Sequence, residues 1–167
     1  MKRKSFLYTV LPFIGAFTTS PGTYAQDSTK PAVLNPDLVK NFVGAGHNNL
    51  EKVRELLEES PNLLYAAWDW GGGDFETAFE AAGHVGNKEI ANYLIEKGAR
   101  TNLFVLTMLG KSNIVKPFIE ANPSMLNSRG PHGYSFLHHA QRGGEEAKEL
   151  LEYFSSKGLL ETRFKLY

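Results

Sequence analysis

Two stretches of the chain repeat each other at a fixed offset of 37 residues. Residues 42–47 read Phe-Val-Gly-Ala-Gly-His and residues 79–84 read Phe-Glu-Ala-Ala-Gly-His, and each stretch precedes a second segment with matching apolar positions. A self-match of this kind is typical of stacked helical repeats, in which each unit buries its apolar face against its neighbours. We therefore expect an all-α fold, and binding is the first function to consider.

The N-terminus has the pattern of an export signal. A basic start, residues 2–4, precedes a mostly apolar run, residues 6–17, and small residues then favour cleavage before Gln26. The run is too short for a membrane span of about 20 residues, and Pro12 interrupts it. We therefore expect residues 1–25 to be a signal peptide that directs the protein to the periplasm or the cell exterior, with no stable membrane anchor after cleavage. A retained N-terminal anchor is the alternative.

Composition sets limits on the rest of the chain. Without the signal segment, 15 basic residues stand against 18 acidic ones, a formal charge of −3. That balance provides no attraction for nucleic acid or anionic lipid. The sequence contains no Cys, which excludes a disulfide framework and a thiolate metal site. The remaining length suits one domain, which we assign to residues 35–158, after a flexible lead-in at 26–34 and before a tail at 159–167.

Helix start and stop signals divide the domain into four helix-turn-helix units. The expected helices run from Pro36, then over about residues 50–59, 77–84, 87–97, 102–109, 112–121, 135–142 and 145–156. Equivalent positions Phe42, Phe79, Leu103 and Leu137 lie 37, 24 and 34 residues apart. The loop before the second unit is therefore long, and the loop before the third is nearly absent.

The second and fourth units resemble the ankyrin repeat, a unit of about 33 residues with a Thr-Pro-Leu-His-x-Ala motif. The matching segments are Thr-Ala-Phe-Glu-Ala-Ala-Gly at 77–83 and Ser-Phe-Leu-His-His-Ala at 135–140. The resemblance implies an ankyrin-repeat solenoid of about four units with irregular finger loops, covering residues 36–158. It also implies that a partner binds the concave side formed by the inner helices and the loops.

Three further segments, residues 59–64, 73–77 and 130–133, together with the export signal, resemble small exported bacterial ankyrin repeat proteins. The chain departs from the ankyrin pattern at Ala78, where Pro is usual, and at Glu80, which replaces the His of the motif. Because that imidazole normally braces the loop, we expect an altered loop geometry in the second unit.

The long loop at residues 68–75, Trp-Asp-Trp-Gly-Gly-Gly-Asp-Phe, is the first candidate binding feature. Tryptophan is a strong interface anchor, and glycines let a loop close on a ligand or supply turns of positive φ. We predict that Trp68, Trp70 and Phe75 contact a partner. The alternative is that Trp68 and Phe75 fold back over the edge of the core, and for Phe75 this alternative is preferred.

A second long loop, residues 130–134, reads Gly-Pro-His-Gly-Tyr. Since the loop before the third unit is nearly absent, we predict that the second loop faces the tryptophan loop across a gap. His132 and Tyr134 would then be available to a partner. The alternative is an ordinary turn built from Gly and Pro.

His47 and His84 are equivalent by the 37-residue offset and are predicted to contact a partner from the ends of adjacent inner helices. Helix axes about 8–10 Å apart make it difficult for the pair to share a metal ion. We expect each ring to hydrogen-bond a carbonyl of the last helical turn instead. His138 is expected to brace the preceding loop, and His139 to be exposed. We assign no metal site and no cofactor.

No catalytic constellation is evident in the sequence. The chain lacks a Cys nucleophile, a Gly-x-Ser-x-Gly elbow, a phosphate-binding glycine motif and a His-Glu-x-x-His pair. We therefore predict no enzyme and no catalytic residue, but a monomeric, exported module that binds another protein through its concave face and long loops. The alternative is a metal- or small-ligand-binding protein, with hydrolysis as one form of it, that uses the histidines and acids between the loops.

Overall fold

A computed structural model describes residues 31–166, so the predicted signal peptide and most of the lead-in lie outside the described residues. This part of the chain is mostly helical, as predicted. The helices are α1 (Pro36–Ala45), α2 (Leu50–Glu59), α3 (Ala78–Val85), α4 (Lys88–Glu96), α5 (Leu103–Met108), α6 (Ser112–Ala121), α7 (Phe136–Gly143) and α8 (Lys148–Ser156). Between residues 31 and 166, no helix has the length and apolar character needed to cross a membrane.

The helices pack as consecutive hairpins. The first helix of each hairpin lies against the first helix of the next, α1 on α3, α3 on α5 and α5 on α7. Apolar side chains between them form two clusters, one containing Phe42 and Leu94 and the other containing Phe136 and Phe154. Burial of these clusters is the main force that holds the hairpins together.

Polar caps explain why most helix boundaries match the sequence prediction within two residues. A side-chain oxygen of the residue before the helix accepts a hydrogen bond from a free backbone N–H of the first turn. This cap is made by Asn35, Asn49, Thr77, Asn87, Asn102 and Ser135. The last helix differs from the prediction because Gly144–Ala147 form a 3-10 turn, so α8 begins at Lys148.

A two-stranded antiparallel hairpin, absent from the all-α prediction, connects the first two helical hairpins. Strand β1 (Ala67–Asp69) pairs with β2 (Phe75–Thr77). The glycines at 71–73 have φ values of 127°, 65° and 85°, which only glycine adopts readily. The Asp69 carboxylate accepts hydrogen bonds from the backbone N–H groups of Gly71 and Gly73, at 2.8 and 3.2 Å. The loop is therefore a braced turn between two strands.

The connection before α5 is short, as predicted, and Glu80 organises it. Its carboxylate accepts hydrogen bonds from the Thr77 backbone N–H and from Asn102 Nδ2, both at 2.9 Å. Burial raises the pKa of Glu80. The carboxylate thus joins the residues that cap α3 and α5.

The end of the described chain lies along the Gly-Pro-His-Gly-Tyr loop, a placement that the sequence does not indicate. Residues Tyr134 and Arg163 form an antiparallel bridge. The Phe164 backbone N–H donates to the Gly133 carbonyl at 2.8 Å, and the Ser135 N–H donates to the Thr162 carbonyl at 3.0 Å. The segment therefore supports this loop from one side.

His139 is buried, with 1% of its surface exposed, so the prediction that it is exposed is wrong. Its ring packs beside Phe104, with centroids 5.3 Å apart, and Nδ1 donates to the Ser135 carbonyl at 2.8 Å. The side chain is one helical turn beyond the carbonyl that it binds, which satisfies one ring nitrogen locally. Burial lowers the pKa of His139 to about 3.

We expect the buried imidazole to make stability depend on pH. The pKa of this histidine is about 6.5 in the unfolded chain and about 3 in the folded protein. Between these pH values the unfolded chain binds the proton and the folded protein does not, so the free energy of unfolding falls as the pH falls. The slope from this group is at most about 1.4 kcal/mol per pH unit. Urea unfolding at pH 7 and pH 5 measures it, and His139→Gln should reduce the difference between the two pH values. Equal differences in the two proteins would contradict this assignment.

Candidate binding site between two finger loops

Two loops meet above the ends of the helices; we call residues 67–77 the first finger and residues 129–135 the second. Asp74 of the first finger accepts two hydrogen bonds from His132 of the second, from the backbone N–H at 2.8 Å and from Nδ1 at 2.7 Å. The ring centroids of Trp70 and His132 lie 6.2 Å apart. The prediction that the two loops face each other is confirmed, and they touch directly at this point.

The backbone of His132 has a left-handed conformation with φ of 58°. A side chain in this region costs about 1–2 kcal/mol relative to the usual helical conformation. Asp74 holds the N–H of His132, and Arg163 Nε donates to its carbonyl at 2.7 Å. Strained residues that neighbouring groups hold in place are common at functional sites, which makes His132 a candidate functional residue.

Alternation along β2 determines which side chains of the first finger face the protein. Successive side chains of a strand point to opposite faces. Glu76 points inward and is 0% exposed, whereas Phe75 points outward and is 60% exposed. The preferred prediction that Phe75 covers the core edge is therefore wrong. Trp68, which pairs with Glu76 across the hairpin, is the residue that packs on the core, beneath Lys40.

Three histidines converge on the buried carboxylate; we call His47, Glu76, His84 and His132 the histidine cluster. The Nε2 atom of His84 lies 2.9 Å from Glu76 Oε1, that of His132 lies 3.5 Å from Oε1, and that of His47 lies 3.7 Å from Oε2. The Nε2 atoms of His47 and His84 are 3.2 Å apart. One ligand atom from each of the four residues falls within 4.8 Å of the others.

Helix spacing led us to expect that His47 and His84 could not easily share a metal ion, but their rings meet, and Gly46 gives a reason. A Cβ on Gly46 would overlap the backbone of Ala78, and a Cβ on Gly83 would overlap the Val105 side chain. Gly46 therefore lets the end of α1 approach the start of α3, and Gly83 lets α3 approach α5. The two imidazoles that follow can then meet at their Nε2 atoms.

The outer nitrogens of two cluster rings are held by hydrogen bonds. His47 Nδ1 lies 3.0 Å from the Gly44 carbonyl, which confirms the predicted contact with the last turn of α1 for His47. The His84 ring instead contacts Glu76 and His47 through Nε2. His132 Nδ1 lies 2.7 Å from the Asp74 carboxylate. Because each Nδ1 must donate to its oxygen partner, each neutral ring presents an unprotonated Nε2 to the centre of the cluster.

Tyr134 supports the cluster from the second finger. Its ring stacks between those of His84 and His138, at centroid distances of 5.2 and 4.0 Å. His138 Nε2 donates to the His84 carbonyl at 2.8 Å, and the Arg142 guanidinium donates to the Val85 carbonyl. His138 thus holds the end of α3, which corrects the prediction that it braces its own preceding loop.

A groove of about 380 Å³ separates the fingers at the position of the missing loop. Phe75 and residues 72–74 form one wall, and residues 129–131 form the other. The floor is made by Glu80, Asn102 and Phe104. The short connection before α5 leaves this space open.

The structure brings together most of the side chains that the sequence predicts as contacts. Five of them form one aromatic group beside the groove: His47, Trp70, His84, His132 and Tyr134. No known protein family and no curated protein matches the chain.

Of the other predicted contact residues, Phe75 lines the groove, and Trp68 lies apart on the core. Sequence reasoning missed Glu76, since only its inward position on β2, opposite Trp68, distinguishes it from the exposed acids.

Proposed function

We propose that the protein is an exported ankyrin-repeat module that binds another protein in the groove between its two fingers. The ankyrin motifs and the stacked helical hairpins support the scaffold. The export pattern in residues 1–25 supports the location. The groove itself, with an exposed aromatic side chain on one wall, is the observation that carries the function.

The walls of the groove combine apolar and charged surface. Phe75 is 60% exposed and Trp70, on the same finger, is 40% exposed. Arg129 stands on the opposite wall, and Glu80 lies on the floor. Aromatic and arginine side chains are enriched among the residues that contribute most to protein interfaces, so an extended protein segment with an apolar anchor is the expected occupant.

The fingers are also held in position before any partner arrives. Asp69 braces the turn of the first finger, Asp74 joins it to His132, and Trp70 Nε1 donates to Glu76 at 2.8 Å. A binding surface that is already ordered loses less conformational entropy on association. The groove therefore has the rigidity expected of a recognition surface.

We expect Phe75→Ala to remove the partner while leaving the protein folded. Loss of an anchoring aromatic side chain should weaken binding about tenfold or more, equivalent to about 1.4 kcal/mol. The assay is quantitative capture from the periplasm and culture medium of the source cells with wild-type and variant protein, followed by titration of the recovered partner.

Phe118→Ala is the matched control, since Phe118 lies on α6, away from the groove, and is 43% exposed. The genuine partner is the protein retained by wild type and by Phe118→Ala and lost with Phe75→Ala. If every captured protein binds all three forms equally, the groove is not the binding surface.

A further inference from the structure

We propose that the histidine cluster binds one Zn²⁺ ion through His47, Glu76, His84 and His132. A tetrahedral zinc site with bonds of about 2.0–2.1 Å places neighbouring ligand atoms about 3.3 Å apart. Three pairs that use one atom per residue are 2.9, 3.5 and 3.2 Å apart: His84 Nε2 and His132 Nε2 to Glu76 Oε1, and His47 Nε2 to His84 Nε2. One ligand atom from each of the four residues lies within 4.8 Å of the others. Small side-chain movements are enough to bring the four atoms around one ion.

The hydrogen bonds on the far side of the rings are those that a metal site requires. A metal-bound histidine usually donates its other N–H to a carbonyl or carboxylate, which fixes the tautomer and the ring orientation. Gly44 provides the carbonyl for His47, and Asp74 provides the carboxylate for His132. In both rings the lone pair of Nε2 therefore points at the position of the ion.

The environment of Glu76 also points to a bound metal ion, independently of the ring geometry. Its side chain is completely buried, and Oε1 accepts no hydrogen bond of acceptable geometry from the described residues, although His84 Nε2 is close. A buried carboxylate is costly unless a positive charge or a full set of donors compensates it. A dication at the centre of three neutral imidazoles supplies that charge. A protonated imidazole is the competing source.

The ligand set selects among metals. Imidazole nitrogen with one carboxylate oxygen suits first-row divalent ions such as Zn²⁺, whereas Mg²⁺ and Ca²⁺ prefer all-oxygen ligands. Shallow clefts reach the cluster from two sides, one lined by His132 and the other by His47. These clefts provide a route by which an ion enters the site.

The bound ion would join parts of the molecule that are distant in sequence. Glu76 belongs to the first finger and His132 to the second, while His47 and His84 lie at the ends of α1 and α3. Coordination therefore fixes both walls of the groove to the helical stack. This site is separate from the surface that Phe75 offers to a partner, so either proposal can fail without the other.

Calorimetric titration of the chelator-treated protein with zinc chloride tests the site. We expect one ion per chain, and replacement of zinc by Co²⁺ should give the intense visible absorption of a tetrahedral complex. Glu76→Gln keeps the size of the side chain and an acceptor for Trp70, and it should abolish stoichiometric binding. Asp74→Asn replaces the outer carboxylate by an amide, whose oxygen can still accept the His132 backbone N–H, and should weaken binding by about 10–100-fold.

Glu145→Gln is the matched control, because it removes an exposed carboxylate that lies outside the cluster. It should bind zinc as wild type does, and circular dichroism should show that all variants are folded. If the folded wild-type protein gives no one-to-one binding, or if Glu76→Gln binds zinc with unchanged affinity, the proposal is wrong.

Discussion

Phe136→Ala is expected to lower the free energy of unfolding by about 3–5 kcal/mol, the range for deleting a large aromatic side chain from a core. Phe136 is fully buried at the start of α7. Its ring stacks on Phe104 at 4.3 Å and on Phe154 at 5.2 Å. The truncation would leave a cavity between α5, α7 and α8, which cannot all move inward to fill it. Urea denaturation followed by circular dichroism measures the loss.

Phe75→Ala is the matched control for this prediction, since it removes the same side chain from an exposed position. Surface substitutions usually change stability by about 0.5 kcal/mol or less. A loss below about 1 kcal/mol for Phe136→Ala, or an equal loss for the two variants, would mean that the second apolar cluster does not hold α7 and α8 together as described.

Gly110→Ala is expected to destabilise the fold by about 2–5 kcal/mol through the backbone. Gly110 follows α5 with φ of 67°, and a Cβ there would overlap the carbonyl oxygen of Glu146 in the turn before α8. The left-handed conformation costs a residue with a Cβ about 1–2 kcal/mol, and the displaced backbone costs about 1–3 kcal/mol more. Thermal and urea unfolding both report the change.

Gly158→Ala separates the two contributions. Gly158 also has a positive φ, 83°, but a Cβ at this position has open space around it. We expect this variant to lose only about 1–2 kcal/mol, from the backbone conformation alone. A Gly110→Ala protein as stable as Gly158→Ala would show that the third and fourth hairpins are not packed as closely as the structure indicates.

The helical part of the fold was predictable because its signals are local. Asn87 and Asn102 cap the helices that follow them, and apolar residues recur at helical spacing between the caps. Repeat spacing also predicted the long first finger and the short connection before α5. These features depend on residues within one or two turns of each other, which a single sequence displays directly.

The finger hairpin was not predictable in the same way. The glycines at 71–73 indicate a turn, but three-residue strands carry too little alternation to register as a pattern. The register of β1 on β2 decides that Glu76 enters the interior and Phe75 leaves it. Only tertiary packing fixes that choice. The prediction from the sequence therefore preferred a buried position for Phe75, which is exposed, and did not identify Glu76.

The histidine cluster shows a further limit of spacing arguments. Average distances between helix axes made a metal ion shared by His47 and His84 difficult in the prediction, whereas Gly46 lets α1 approach α3 and Gly83 lets α3 approach α5. The same glycines are visible in the repeated Ala-Gly-His segment. Their meaning as close-approach positions depends on which backbone lies opposite, and the structure alone supplies that neighbour.

The span of the cluster along the chain has a kinetic consequence. Most packing in the stack joins adjacent hairpins, so it can form locally, but the cluster needs residues as far apart as His47 and His132. Contacts between distant residues carry the largest loop-closure cost and are slow to form. We therefore expect the cluster to assemble late in folding, so that a completed cluster marks a chain whose first hairpin and second finger have both reached their final positions.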